Sequence, residues 1–162
     1  MTRQQKKYYK QLKDTMVMQA AGEQITAANA AVNMNKLLQI SSGAVYTDDG
    51  DSLEFDIKHR YKVLREVIDE STKKVLVFVP FKHVIDILTD KLINDGIPTE
   101  IIRGDVSASK RTDIFKRFQT NAAPQVLVIQ PAAAAHGVTL TAANTVVWWG
   151  PTSSLETYAQ AN

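Results

Sequence analysis

The stretch KKVLVFVP, residues 73–80, decides how this chain reads. Val75, Leu76, Val77, Phe78 and Val79 follow one another without a polar break, and Pro80 closes the run. A strand wetted on one face alternates polar with apolar residues, so an unbroken apolar run bounded by a proline predicts a strand covered on both faces. Working outward from it, Val84, Ile87, Leu88 and Leu92 recur at helical spacing and predict a helix over 81–95, closed by Asp95-Gly96. PTEIIRG (98–104) is a short second strand. Ser107 stands where an N-cap belongs, opening a helix that carries Ile114, Phe115 and Phe118 inward and Lys110, Arg111, Lys116 and Arg117 toward water. QVLVIQP (125–131) and TVVWWG (145–150) are a third and a fourth buried strand, and Ser153 or Ser154 would cap a last helix reaching Asn162. Strands alternating with helices of this length are parallel βαβ units, with right-handed crossovers and helices on both faces of the sheet. Residues 70–162 are therefore expected to form an α/β sandwich around a mostly parallel sheet.

The first 69 residues read as a helical lead-in. Tyr9, Leu12 and Met16 predict a helix over 3–20. A second helix over 27–41 carries Val32, Leu37, Leu38 and Ile40 and stops at Gly43. TDDGDS (47–52) is a turn or solvated loop, and Asp56 is placed to cap a helix burying Val63, Leu64, Val67 and Ile68.

With 162 residues, 44% hydrophobic and 22% charged, the chain is one ordinary domain or one lobe of something larger. No apolar run approaches the roughly 18–20 residues of a spanning helix, and the basic N-terminus lacks the apolar segment of a secretory signal. The absence of cysteine excludes disulfides, thiolate metal sites and cysteine catalysis, and three scattered histidines (His59, His83, His136) argue against a zinc enzyme. A soluble, cytoplasmic protein is expected. The net charge of +2 is unevenly spread: residues 1–13 carry five bases and no acid, and residues 48–56 five acids and no base. Residues 121–162 hold one charged side chain, Glu156, as suits a core sheet packed against a partner surface.

In parallel α/β sheets ligands collect at the carboxyl ends of the strands. Here those ends are Pro80-Phe81-Lys82-His83, Arg103-Gly104-Asp105, residues 130–137 and residues 150–154. No GxxxxGK[ST], GxGxxG or GxSxG follows a strand, and no carboxylate pair falls at a strand end. The chain thus offers cationic and polar loops, but no phosphate cradle, nucleophile or base of its own.

KKVLVFVPFKHVIDIL (73–88), IIRGDVSASKRTDIFKRFQ (101–119), VLVIQPAAAAHGVTLTAANTVVWWG (126–150) and SLETYAQAN (154–162) together resemble motif IV, the block after it, motif V and the lead-in to motif VI of Swi/Snf-type superfamily II helicase-like ATPases, particularly the short forms of phages and prophages. TRQQKKYYKQLKD and NKLLQISSGAVY resemble the segment that joins the two lobes of that family. The resemblance implies a three-layer α/β/α RecA-like second lobe of an ATP-dependent motor on double-stranded DNA. It implies that Pro80, Phe81, Lys82, His83, Arg103, Gly104, Thr139 and Thr141 face nucleic acid, and that His136, Gly137 and Gln160 face nucleotide between the lobes. An N-terminal RecA-like lobe of the same polypeptide would bring the P-loop, and ATP and Mg2+ would belong to the full-length protein, with none bound by this chain alone. Arg111 matches a family position that holds local structure. Two departures stand out. Residues 132–135 are all alanine where the motif V loop usually carries glycine, with only Gly137 keeping one. The arginines of motif VI would follow Gln160-Ala161-Asn162, so the chain is expected to be a piece of a longer protein cut short of them. Two alternatives stay open: a stand-alone RecA-like module binding nucleic acid or protein without ATPase activity, and an unrelated α/β enzyme acting alone.

Overall fold

The computed structural model describes residues 2–15, 17–20, 23–26, 30–48, 51–134 and 140–149. The chain divides into two units, Met1–Val63 and Leu64–Asn162. In the first, α1 (Arg3–Thr15) is followed by β1 (Val17–Ala20) and β2 (Glu23–Thr26), then α2 (Ala30–Ser42), β3 (Ala44–Tyr46) and β4 (Ser52–Glu54). The helix expected over 3–20 therefore ends at Thr15, because residues 17–20 pair antiparallel with 23–26, Val17 opposite Thr26 and Ala20 opposite Glu23. Cross-strand bonding supplies the backbone partners that the helix would have given. β3 and β4 likewise pair across the acidic turn.

α1 opens on a capping box: the backbone N–H of Thr2 donates to Gln5 Oε1 (2.9 Å) while that of Gln5 donates to Thr2 Oγ1 (3.2 Å). Gln5 is fully buried, and its Nε2 also donates to the Ile40 carbonyl at 2.8 Å, tying α1 to α2. Leu37, Ile40, Val45 and Phe55 form the core of this unit, with Tyr8, Tyr9 and Leu53 packed on it. α2 starts at Ala30 and stops, as expected, at Gly43, which adopts φ +125°. A β-carbon there would lie 2.6 Å from Ile57 Cγ2, so both backbone and space require glycine.

The boundary between units falls inside α3 (Lys58–Glu70). Asp56 Oδ1 accepts from the Lys58 N–H at 3.0 Å, as its capping position predicts. Leu64 and Ile68 are buried and Val67 half-buried, but Val63 is 58% exposed. At about 100° per residue Val63 points roughly 100° away from Leu64 and 140° from Ile68, outside the apolar stripe.

The second unit continues with β5 (Lys74–Phe78), α4 (Lys82–Asn94), β6 (Thr99–Ile102), α5 (Ala108–Thr120), β7 (Val126–Ile129), α6 (Pro131–Ala134) and β8 (Ala143–Trp148). All four strands are parallel, in the order β6-β7-β5-β8. The step from β5 to β6 passes over β7 and the step from β6 to β7 returns, so right-handed crossovers put α4 and α5 on opposite faces. Leu76, Phe78, Leu127, Ile129 and Ile102 meet Phe118 of α5 in one cluster, with Trp148 stacked on Phe78 (4.8 Å between ring centres). α4 buries Val84, Ile85, Leu88 and Leu92. The expected three-layer α/β/α RecA-like architecture is what forms. Ser107 accepts from the Lys110 N–H (3.3 Å) at the start of α5. At the other end of that helix Lys74 Nζ donates to the carbonyls of Phe118 (2.7 Å) and Asn121 (2.5 Å), a cation where the helix dipole is negative. The helix expected after Ser153 or Ser154 lies outside the described residues. Among the described residues no helix is long and apolar enough to cross a membrane.

Candidate nucleic-acid interface

Parallel strands bring their carboxyl ends to one edge, and there the first two expected loops meet. Chain leaving β5 passes Pro80 and Phe81, both half-buried, into the first turn of α4 with exposed Lys82 and half-buried His83. Phe81 holds an extended conformation (φ −115°, ψ 127°) and gives the helix no side-chain cap. Chain leaving β6 enters a turn at Arg103-Gly104-Asp105, closed by the Val106 N–H on the Arg103 carbonyl (3.0 Å).

β7 lies between β5 and β6, and the side chains of the two loops join across its end. Lys82 Nζ is 2.9 Å from Asp105 Oδ2, and Arg103 Nε donates to Asp105 Oδ1 at 2.9 Å. Arg103 Nη1 reaches Asp86 Oδ1, one turn into α4, at 2.5 Å. Arg103 is the sheltered member at 19% exposure, against 53% for Lys82, 46% for Asp105 and 44% for Asp86. The hydrogen bond from Lys82, joined by that from Arg103, holds the Asp105 carboxyl below the usual carboxylate range. Two cations and two carboxylates make the cluster neutral as it stands.

The turn itself is pinned by Arg111. Its Nε donates to the Val106 carbonyl (2.8 Å), Nη2 to those of Arg103 (3.3 Å) and Gly104 (3.2 Å), and Nη1 to that of Ala133 in α6 (3.2 Å). The expected local structural role of Arg111 is thus visible as four carbonyls gathered on one guanidinium. Gln130, just past β7, accepts the Gly104 N–H through Oε1 at 3.2 Å.

Thr141 is not brought to this edge. It precedes β8, whose Ala143 lies opposite Lys74 at the amino end of β5, and its Oγ1 accepts from Gln119 Nε2 (3.0 Å). Gln119 Oε1 in turn accepts the Ala142 N–H at 2.9 Å. A strand of this length at about 3.3 Å per residue separates Thr141 from the Lys82–Arg103 cluster by roughly 17 Å. His136, Gly137, Thr139 and Gln160 lie outside the described residues. Sequence reasoning missed Asp86 and Gln130 as organising groups. The Lys82-to-Asp86 spacing of four was the available signal for Asp86, though the structure pairs Asp86 with Arg103 instead. Among the described residues no three His, Asp or Glu side chains are placed to hold a metal ion.

Residues 59–162 match the helicase conserved C-terminal domain. The chain belongs to that family. The helicase C-terminal domain described here is 31% identical over 148 residues to the ATP-dependent helicase ULS1 of Saccharomyces cerevisiae, covering 86% of this chain and 9% of that protein. Its fold matches the Sulfolobus solfataricus SWI2/SNF2 ATPase C-terminal domain with a TM-score of 0.67 at 21% identity, over 92% of this chain and 68% of that one. It also matches the SWI2/SNF2 ATPase core of the same organism in complex with dsDNA, with a TM-score of 0.64 at 19% identity, over 92% of this chain and 33% of that one. The chain spans less than a tenth of the length of the first curated relatives it matches.

Proposed function

We propose that this helicase C-terminal domain is the second motor lobe of a SWI2/SNF2-type ATPase moving on double-stranded DNA, and that its carboxyl-edge loops grip the sugar-phosphate backbone. The observation that carries this is the convergence of Lys82 and Arg103, from two non-adjacent strands, above the end of β7. Family membership and the fold shared with a SWI2/SNF2 core in complex with dsDNA support it. Lys82 and Arg103 would meet phosphates, with Pro80, Phe81, His83 and Gly104 shaping the edge, while Thr139 and Thr141 would serve a separate contact. ATP with Mg2+ would lie between this lobe and an N-terminal RecA-like lobe, with His136, Gly137 and Gln160 toward it, and would supply the phosphoryl transfer. The part of this chain is positional: the Arg111 clamp and the Arg103–Asp86 pair fix where the cations stand.

Phosphate contacts carry no base information, so binding to mixed-sequence duplexes should be sequence-tolerant and fall steeply with salt. Lys82→Ala and Arg103→Ala should each weaken binding to every duplex alike and reduce the slope of log K against log salt, by less than the roughly 0.9 of a bare cation because both are paired with Asp105. Sequence-selective binding, or full affinity in both variants, overturns the proposal. Robust ATP turnover by the 162-residue chain alone overturns the two-lobe part of it.

A further inference from the structure

We infer that Asp105 is a built-in surrogate for a backbone phosphate, occupying Lys82 and Arg103 until a DNA phosphodiester displaces it. Its role rests on the carboxyl edge being the DNA face, as proposed above. Like a phosphate, the Asp105 carboxylate presents two oxygens to two cations, Oδ2 to Lys82 and Oδ1 to Arg103, each at 2.9 Å. The other carboxylate of the cluster is differently placed. Asp86 rides on α4 and takes Arg103 by Nη1, the nitrogen that Asp105 does not use. Removing Asp105 therefore leaves Arg103 oriented, with Nε and the Lys82 ammonium turned to the vacated position.

The surroundings make that exchange cheap. Arg111 and the Val106 N–H hold the backbone of the turn at the carbonyls of Arg103, Gly104 and Val106. None of those bonds involves Asp105, so its side chain can swing out by rotation about χ1 while the turn stays put. Ion pairs this exposed contribute little each, because water and salt already screen them. An incoming phosphate trades one anion for another across a pair of preplaced cations. In the resting protein the same carboxylate, together with Asp86, neutralises them, which keeps the edge from holding stray anions.

Counterion release gives this a distinctive signature. A cation already paired with an internal carboxylate adds less to the salt dependence of DNA binding than a bare one. Asp105→Asn, titrated as the 162-residue chain with a mixed-sequence DNA duplex at several salt concentrations, should bind about two- to thirtyfold tighter at low salt, the range that two exposed ion pairs represent. Its log–log salt slope should steepen by about 0.9. Asp90→Asn, an exposed acid one turn further along α4, adds the same net charge outside the cluster and should change affinity less than Asp105→Asn. If Lys82→Ala weakens binding while Asp105→Asn leaves it unchanged or weaker, Asp105 is only a turn residue and the inference falls with the DNA face intact. If Asp90→Asn matches the gain of Asp105→Asn, bulk charge explains it and the inference falls. If Lys82→Ala leaves affinity unaltered, the DNA face and the inference fall together.

Discussion

Replacing Arg111 with alanine should cost the second unit about 2–4 kcal/mol. The guanidinium makes four hydrogen bonds to carbonyls, at 2.8, 3.2, 3.2 and 3.3 Å. A bond to a charged donor is worth about 1.5–3 kcal/mol when its loss strands the partner. Simple addition overstates the loss for three reasons. Nη2 is shared between two acceptors, Arg103's carbonyl keeps the Val106 N–H at 3.0 Å, and the half-buried turn lets water reach the others. What remains is the loss of the link between the turn and α6. For a unit of 99 residues each kcal/mol moves the thermal midpoint about 4–8 °C, so a drop of roughly 8–30 °C is expected. Trp148 and Trp149 are the chain's two tryptophans and both lie in the second unit, so urea unfolding followed by their fluorescence reports on it. Arg111→Lys tests the geometry: an ammonium keeps the charge but cannot reach acceptors in a planar fork, and should restore less than half of the loss. A loss under about 1 kcal/mol for alanine, or full stability for lysine, would refute the claim that this fork organises the turn.

In the first unit, Gly43→Ala should cost about 1–3 kcal/mol, because φ +125° is strained for any side chain and the new methyl meets Ile57; far-UV circular dichroism melts check it. Gln5→Ala removes half of a capping box and takes from the Ile40 carbonyl the shorter of its two hydrogen bonds, leaving the Gly43 N–H at 3.2 Å, for about 1–3 kcal/mol in the same assay. Asp105 has its folded-state pKa lowered by Lys82 and Arg103, so its stabilising effect is present above the unfolded value of about 3.9 and lost as pH falls through the lower, folded one. Melting temperatures taken from neutral to strongly acidic pH should therefore show a decline below about pH 4 that is shallower in Asp105→Asn.

The sheet was legible because burial on both faces erases polar positions: Val75, Val77, Val126 and Val128 are all fully buried, and their runs stand out at a glance. Helix limits were legible where local chemistry sets them, as at Ser107, Gly43 and Asp95. β1 to β4 were not, because none carries an unbroken apolar run of four or more: Gln19 interrupts β1, Glu23 and Gln24 open β2, Ser52 and Glu54 flank Leu53 in β4, and β3 is only Ala44-Val45-Tyr46. The capping box was readable in Thr2-x-x-Gln5 and was passed over in favour of the Tyr9, Leu12 and Met16 stripe. At the site, each loop was legible but their meeting was not: nothing local says that β7 inserts between β5 and β6. Thr141 was grouped with the carboxyl-edge loops because it follows β7. In a parallel sheet, however, every connection leaves one edge and must arrive at the other, so a residue just before the next strand sits on the amino side.

The strand order has a consequence for how the chain is made. β5 and β6 emerge first yet share no hydrogen bond, since β7 separates them, and β5's other neighbour is β8. During synthesis the apolar segments 75–79 and 99–102 wait without a strand partner until residues 126–129 appear, about fifty residues after the first. At roughly 5–20 residues per second that is an interval of several seconds. β7 is the keystone of the nascent sheet: any chain cut before it leaves two apolar strand segments with nothing to pair them, a product for chaperones and proteases rather than a smaller version of this fold.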